Sequence, residues 1–88
     1  MENLPMLSCA EYRLLEESLQ VQLTWLDGIF LMSRRTEKLT IHLFSLYSFY
    51  VEVFFEDSEP FFITAFDDVI YLDPYLKAID IDFLFNEV

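Results

Sequence analysis

Apolar residues follow two different rhythms along the chain, and the change comes near Gly28. Before it, Tyr12, Leu15, Leu19, Leu23 and Leu26 recur at steps of three and four, which places them on one face of a helix. Ser8-Cys9-Ala10-Glu11 reads as a capping box: the Ser8 hydroxyl accepts from a first-turn amide and Glu11 reaches back to the cap amide. Leu7 and Tyr12 flank it as a hydrophobic staple, and Gly28 supplies a stop. A second apolar stripe, Leu14, Val21 and Trp25, lies beside the first; Arg13, Glu16, Glu17, Gln20 and Thr24 make the polar arc. Such a helix is touched from two directions. A rival pattern exists in the same stretch. Val21, Leu23 and Trp25 alternate with Gln20, Gln22 and Thr24, and Asp27-Gly28 is a hairpin signal, so the helix would stop near Leu19 and a strand would follow. The strong cap and the helix-forming Leu and Gln residues favour one continuous helix.

After Gly28 the pattern is that of strands, near 29–34, 39–46, 49–56 and 61–66. The breaks are Arg35-Thr36-Glu37-Lys38, Tyr47-Ser48 and Asp57-Ser58-Glu59-Pro60. Breaks this short make successive strands antiparallel neighbours. Pro60 precedes the last strand without removing a ladder donor. Asp67 or Asp68 caps a short turn, and Asp73-Pro74 starts a short helix with Tyr75, Leu76 and Ile79 on its inner side. Residues 79–83 alternate like a strand. The expected fold is a single α+β domain over residues 1–88: an N-terminal helix, a four-stranded antiparallel meander and a short C-terminal helix.

Parity within the strands exposes an anomaly. One face takes Ile29, Leu31, Leu39, Ile41, Leu43, Phe49, Val51, Val53, Phe55, Phe61 and Ile63, an ordinary core. The other takes Phe30, Met32, Phe44, Leu46, Tyr50, Phe54, Phe62 and Phe66, interrupted only by Thr40, His42, Glu52, Glu56 and Thr64. A sheet with one wet side alternates cleanly between apolar and polar positions. Agreement between the two faces requires an odd-numbered loop around Ser48, or a bulge. A chain of this size buries only roughly 60–65% of its surface, and eleven Phe and Tyr residues lie between Phe44 and Tyr75. The C-terminal aromatics Tyr71, Tyr75, Phe83 and Phe85 cover part of the second face. Phe44, Leu46, Tyr50, Phe54, Phe62 and Phe66 are expected to form a leftover apolar contact surface, filled most simply by a second copy of the chain.

Composition narrows the function classes. Hydrophobic residues make up 55% and aromatics 18%, with one Gly, which excludes a disordered or collagen-like chain and any Gly-rich phosphate cradle. The formal charge of −11 excludes direct nucleic-acid binding. That charge is uneven: residues 1–44 carry six acids and four bases, residues 45–88 ten acids and one base. The N-terminus has no basic, apolar leader, and the longest uncharged run, Leu39–Val51, has thirteen residues against the roughly 18–20 of a spanning helix. A lone Cys9 fits a reducing compartment and rules out an internal disulfide. These features point to a cytoplasmic protein without membrane contact.

Reactive groups are sparse. His42, the one histidine, sits mid-strand with no triad companion and reads as a packed residue. Cys9 lies in a first helical turn, where amide dipoles lower a thiol pKa, but no histidine neighbours it. Asp57, Glu59, Asp67 and Asp68 offer oxygen ligands without calcium-loop spacing; helix caps and a solvated face account for them. Arg34, Arg35 and Lys38 in the first loop face the end of the sheet that also holds Asp57 and Glu59. The expectation is a non-enzymatic association module without cofactor or metal, self-pairing through an apolar sheet face with an acidic rim. The alternative is an acidic mimic of nucleic acid, an inhibitor or antitoxin that occupies the groove of a basic protein.

Overall fold

The computed structural model describes residues 7–78. Its centre is an antiparallel sheet in the order β1 (Ile29–Arg35), β2 (Leu39–Leu46), β3 (Phe49–Glu56), β4 (Glu59–Phe66). Two helices precede it, α1 (Cys9–Arg13) and α2 (Glu17–Asp27), and a 3-10 turn (Val69–Leu72) and α3 (Asp73–Ala78) follow. This is the α+β meander that the sequence predicts. The expected strand at 79–83 and the cover from Phe83 and Phe85 lie outside the described residues.

The capping box forms: the Glu11 amide donates to Ser8 Oγ at 3.1 Å and the Ser8 amide to Glu11 Oε1 at 2.8 Å. The single long helix does not. Leu14 closes α1, and Glu16, with φ −62° and ψ 152°, is extended and restarts the chain as α2. Polar cross-ties hold the break. Gln20 Nε2 donates to the Tyr12 carbonyl at 2.9 Å, so a side chain takes up a carbonyl at the end of α1. The Tyr12 hydroxyl donates to the Gln20 carbonyl at 3.1 Å and shares a 2.8 Å hydrogen bond with Thr24 Oγ1, which is itself fully buried. Arg13 donates through Nε and Nη2 to the Ala65 carbonyl at 3.2 and 2.8 Å, which fastens α1 to β4. The rival strand at 20–26 is absent, since these residues belong to α2.

Tyr47-Ser48 is a two-residue turn, with Leu46 paired to Phe49 across it. Tyr47 takes a left-handed φ of 55°, uncommon for a bulky residue, and its hydroxyl donates to Asp27 Oδ2 at 2.6 Å. An even loop pairs odd residues of β2 with even residues of β3, so the predicted faces exchange at this turn. The next turn, Asp57-Ser58, has φ of 54° and 71° and lets β4 begin at Glu59, earlier than expected. Pro60 therefore lies within β4, opposite Phe55, at a sheet edge where its missing amide does little harm.

Two apolar clusters result. On the helix side, Cys9 and Tyr12 of α1 pack with Phe44, Leu46, Phe49, Val51, Val53 and Ala65 of the sheet. On the opposite face Ile41, Leu43, Phe66 and Tyr75 are buried, with Met32, Leu39, Tyr50, Phe54 and Leu72 partly enclosed around them. Tyr75 holds α3 there. It is 1% exposed, and its hydroxyl donates to Glu52 Oε2 at 2.6 Å. Arg34 Nη2 lies 3.6 Å from the same oxygen, and the guanidinium carbon sits 5.0 Å from the centre of the Tyr75 ring. Burial and the Glu52 carboxylate push the Tyr75 hydroxyl pKa well above its ordinary value.

Candidate functional site

The six residues expected to form one contact surface are divided between both faces. Phe44 and Leu46 are buried beneath the helices, and Phe66 is buried on the other face. Tyr50 and Phe54 are partly enclosed around Phe66 and Tyr75. Phe62, its ring centre 5.4 Å from that of Phe54, is the one of the six that remains well exposed. The physical reason is the Tyr47-Ser48 turn: the expected odd loop is even, so Phe44 and Leu46 share a face with Val51 and Val53 rather than with Tyr50 and Phe54.

Exposed large apolar side chains fall mainly into two groups, one over the 3-10 turn and α3 (Val69, Ile70, Tyr71 and Leu76) and a larger one where α2 runs into β1. Trp25, Leu26, Ile29, Phe30 and Leu31 follow one another across this corner; Leu26 is 78% exposed, Ile29 64% and Phe30 52%. Gly28 makes the corner. Its amide donates to the Thr24 carbonyl at 2.9 Å, and a Cβ added there would lie 2.4 Å from that oxygen. Only glycine lets the strand leave the helix so closely.

Within β1, Phe30 pairs with Phe44 and Met32 with Leu43, so Leu31 is the extra residue of a bulge. The bulge moves the strand's parity. Phe30 stays on the helix side, while Met32 and Arg34 pass to the Tyr75 side. Rings continue inward from the corner: Trp25 to Phe44 at 5.3 Å, Phe44 to Phe30 at 5.7 Å, Phe30 to His42 at 5.3 Å, and His42 to Phe55 at 4.8 Å. Beside His42 and Phe55 a hollow of about 280 Å³ is lined also by Thr40 and Ser58.

Charge is sorted along this edge. Asp27 stands at the helix end, bound by the Tyr47 hydroxyl, whose pKa burial and the Asp27 carboxylate push up to about 12. Arg35 stands at the far end of β1 and donates to Thr40 Oγ1 at 3.2 Å. Lys38 follows in the connecting turn.

The structure also places the two groups that the sequence offers for nucleophile or base chemistry, Cys9 and His42. Cys9 is buried, and desolvation raises its thiol pKa, the opposite of the helix-dipole effect expected from sequence. His42 packs between two rings, edge-on to Phe30 at 69° and tilted against Phe55 at 46°. Among the described residues no three His, Cys, Asp or Glu side chains converge on a point that could hold a metal ion. No described helix is long and apolar enough to cross a membrane.

Sequence reasoning missed this corner because it placed Leu26 on the inner face of the helix and Ile29 and Leu31 in the core. The available signal was Asp27-Gly28-Ile29 itself, since a single residue between helix and strand leaves no loop to fold back and cover them. Comparison of the chain with models of known protein families, with curated proteins and with solved structures finds no match.

Proposed function

We propose that the protein is a non-enzymatic association module whose α2–β1 corner receives a second copy of the chain. One observation carries the reading: Trp25, Leu26, Ile29, Phe30 and Leu31 form a run of large apolar side chains that are all substantially exposed. Large exposed apolar side chains grouped close together in the chain suit contact with another molecule, and aromatic anchors contribute most of the affinity at such sites. A second copy suits it for an electrostatic reason. The chain carries −11 overall, but Arg35 and Lys38 lie at the end of β1 away from Asp27, so charges of opposite sign stand at the two ends of this edge. The net negative charge of the chain disfavours other acidic partners. A buried, reduced Cys9 suits a reducing compartment such as the cytoplasm.

The acidic-mimic alternative has less support. Glu56, Asp57 and Glu59 are exposed at one end of β4 and Asp67, Asp68 and Asp73 beyond the other, so these acids do not form one continuous face.

Sedimentation equilibrium at micromolar concentrations tests the proposal. Wild type is expected at twice the chain mass of 10.6 kDa, and Leu26→Glu and Phe30→Glu as single chains with unchanged far-ultraviolet circular dichroism. A wild-type protein that remains a single chain up to the highest soluble concentration would overturn it.

A further inference from the structure

We infer that two copies meet about a two-fold axis near Leu31, their β1 strands antiparallel, with Asp27 of each chain against Arg35 of the other. This rests on the association proposed above and specifies its geometry. The edge is self-complementary in order: Asp27 at one end, Ile29-Phe30-Leu31-Met32 in the middle, Arg34-Arg35 at the other. Antiparallel alignment centred on Leu31 sets Asp27 opposite Arg35 twice, once at each end. A parallel alignment sets acid on acid and base on base.

The helix end adds an independent reason. The last turn of α2 contains no basic residue, and Asp27 is its final residue, so its unpaired carbonyls and a carboxylate concentrate negative charge in one place. Asp27 Oδ2 accepts from the Tyr47 hydroxyl at 2.6 Å, which holds the carboxylate at the end of α2. A second copy's Arg35 supplies a cation in the position where a helix C-terminus favours it.

The edge strands decide how far assembly goes. Leu31 has no partner in β2, and the bulge interrupts the ladder, so contact at the axis is made through side chains rather than by an added strand. The outer edge of β4 is blunted by Pro60 and by the Arg13 guanidinium on the Ala65 carbonyl. A β1-to-β4 contact would repeat head to tail without closing, whereas β1 against β1 closes as a dimer.

Charge reversal tests the geometry in the full chain. Asp27→Arg alone and Arg35→Asp alone each place two like-charge contacts in a homodimer, and each is expected to raise Kd about tenfold or more at low salt. An equimolar mixture of the two variants has both contacts complementary, and is expected to return to within about threefold of the wild-type Kd. High salt is expected to compress these differences. Tyr47→Phe, which removes the intrachain bond to Asp27, is expected to leave Kd unchanged and so separates charge from local packing. If wild type dimerises and Leu26→Glu abolishes it, but the mixture gains nothing over either variant, this geometry is overturned while association stands. If wild type is a single chain, both fall.

Discussion

Replacing Tyr75 by Phe should loosen the C-terminal cover of the sheet without disturbing the meander. The perturbation is small in volume and large in electrostatics. The hydroxyl donates to Glu52 Oε2 at 2.6 Å, in a place where the Glu52 side chain is only 13% exposed. Hydrogen bonds to charged groups contribute about 1.5–3 kcal/mol. Arg34 Nη2 stays 3.6 Å from the same oxygen and offsets part of the loss, so about 2 kcal/mol is expected. For a domain of this size that corresponds to a fall in Tm of roughly 8–16 °C. Tyr75→Ala also removes the ring over which Arg34 sits, and should cost about 3–5 kcal/mol. Urea unfolding followed by circular dichroism measures both values. Repeating Tyr75→Phe in a Glu52→Gln background isolates the contact: the cost should drop to about 1 kcal/mol, because a neutral acceptor replaces a carboxylate. Amide exchange should quicken over residues 69–78 and stay slow in β2 and β3. Equal costs in the two backgrounds, or a Tyr75→Phe effect below about 0.5 kcal/mol, would refute the assignment of this bond as the anchor of α3.

Alkaline solution should unfold the protein through its tyrosines. Tyr75 and Tyr47 have folded-state pKa values raised above the ordinary 10.0, Tyr47 to about 12, so their contribution is full below pH 10 and is lost as pH rises through the folded values. Unfolding curves from pH 9 to pH 12 should show a fall in stability that is shallower in Tyr47→Phe and Tyr75→Phe, and parallel curves would contradict this sign. Gly28→Ala should destabilise by more than about 1 kcal/mol despite alanine's better helix propensity, because the new Cβ would meet the Thr24 carbonyl at 2.4 Å; a gain in Tm would show that the corner relaxes freely. Thr24→Val keeps the volume but removes the hydroxyl shared with Tyr12 and the Gln20 carbonyl, and should cost about 1 kcal/mol by urea titration.

The elements of this fold were legible because each is declared by neighbours a few residues apart. The Ser8–Glu11 capping box, the apolar alternation of four strands and the Asp73-Pro74 helix start are local patterns, and all are present in the structure. The break at Leu14–Glu16 was hidden for the same reason. Its apolar spacing continues across the gap, and what stabilises the gap is Gln20 and Thr24 reaching back to Tyr12, together with Arg13 reaching across to Ala65.

The candidate surface was legible only as an excess. Composition and strand parity showed more apolar surface than one small domain readily encloses, and that count does not depend on register. Its location does. A two-residue turn at Tyr47-Ser48 in place of an odd loop divided the six nominated residues between two faces, and the Leu31 bulge moved Met32 and Arg34 to the Tyr75 side. Because side chains alternate with a period of two, one residue at a turn or a bulge reverses everything beyond it. The amino-acid order alone determined which segments become helix and strand, and how much apolar surface the chain carries. Which side chains share a face, and which apolar ones stay uncovered, those of the α2–β1 corner among them, was decided by contacts between segments distant in sequence.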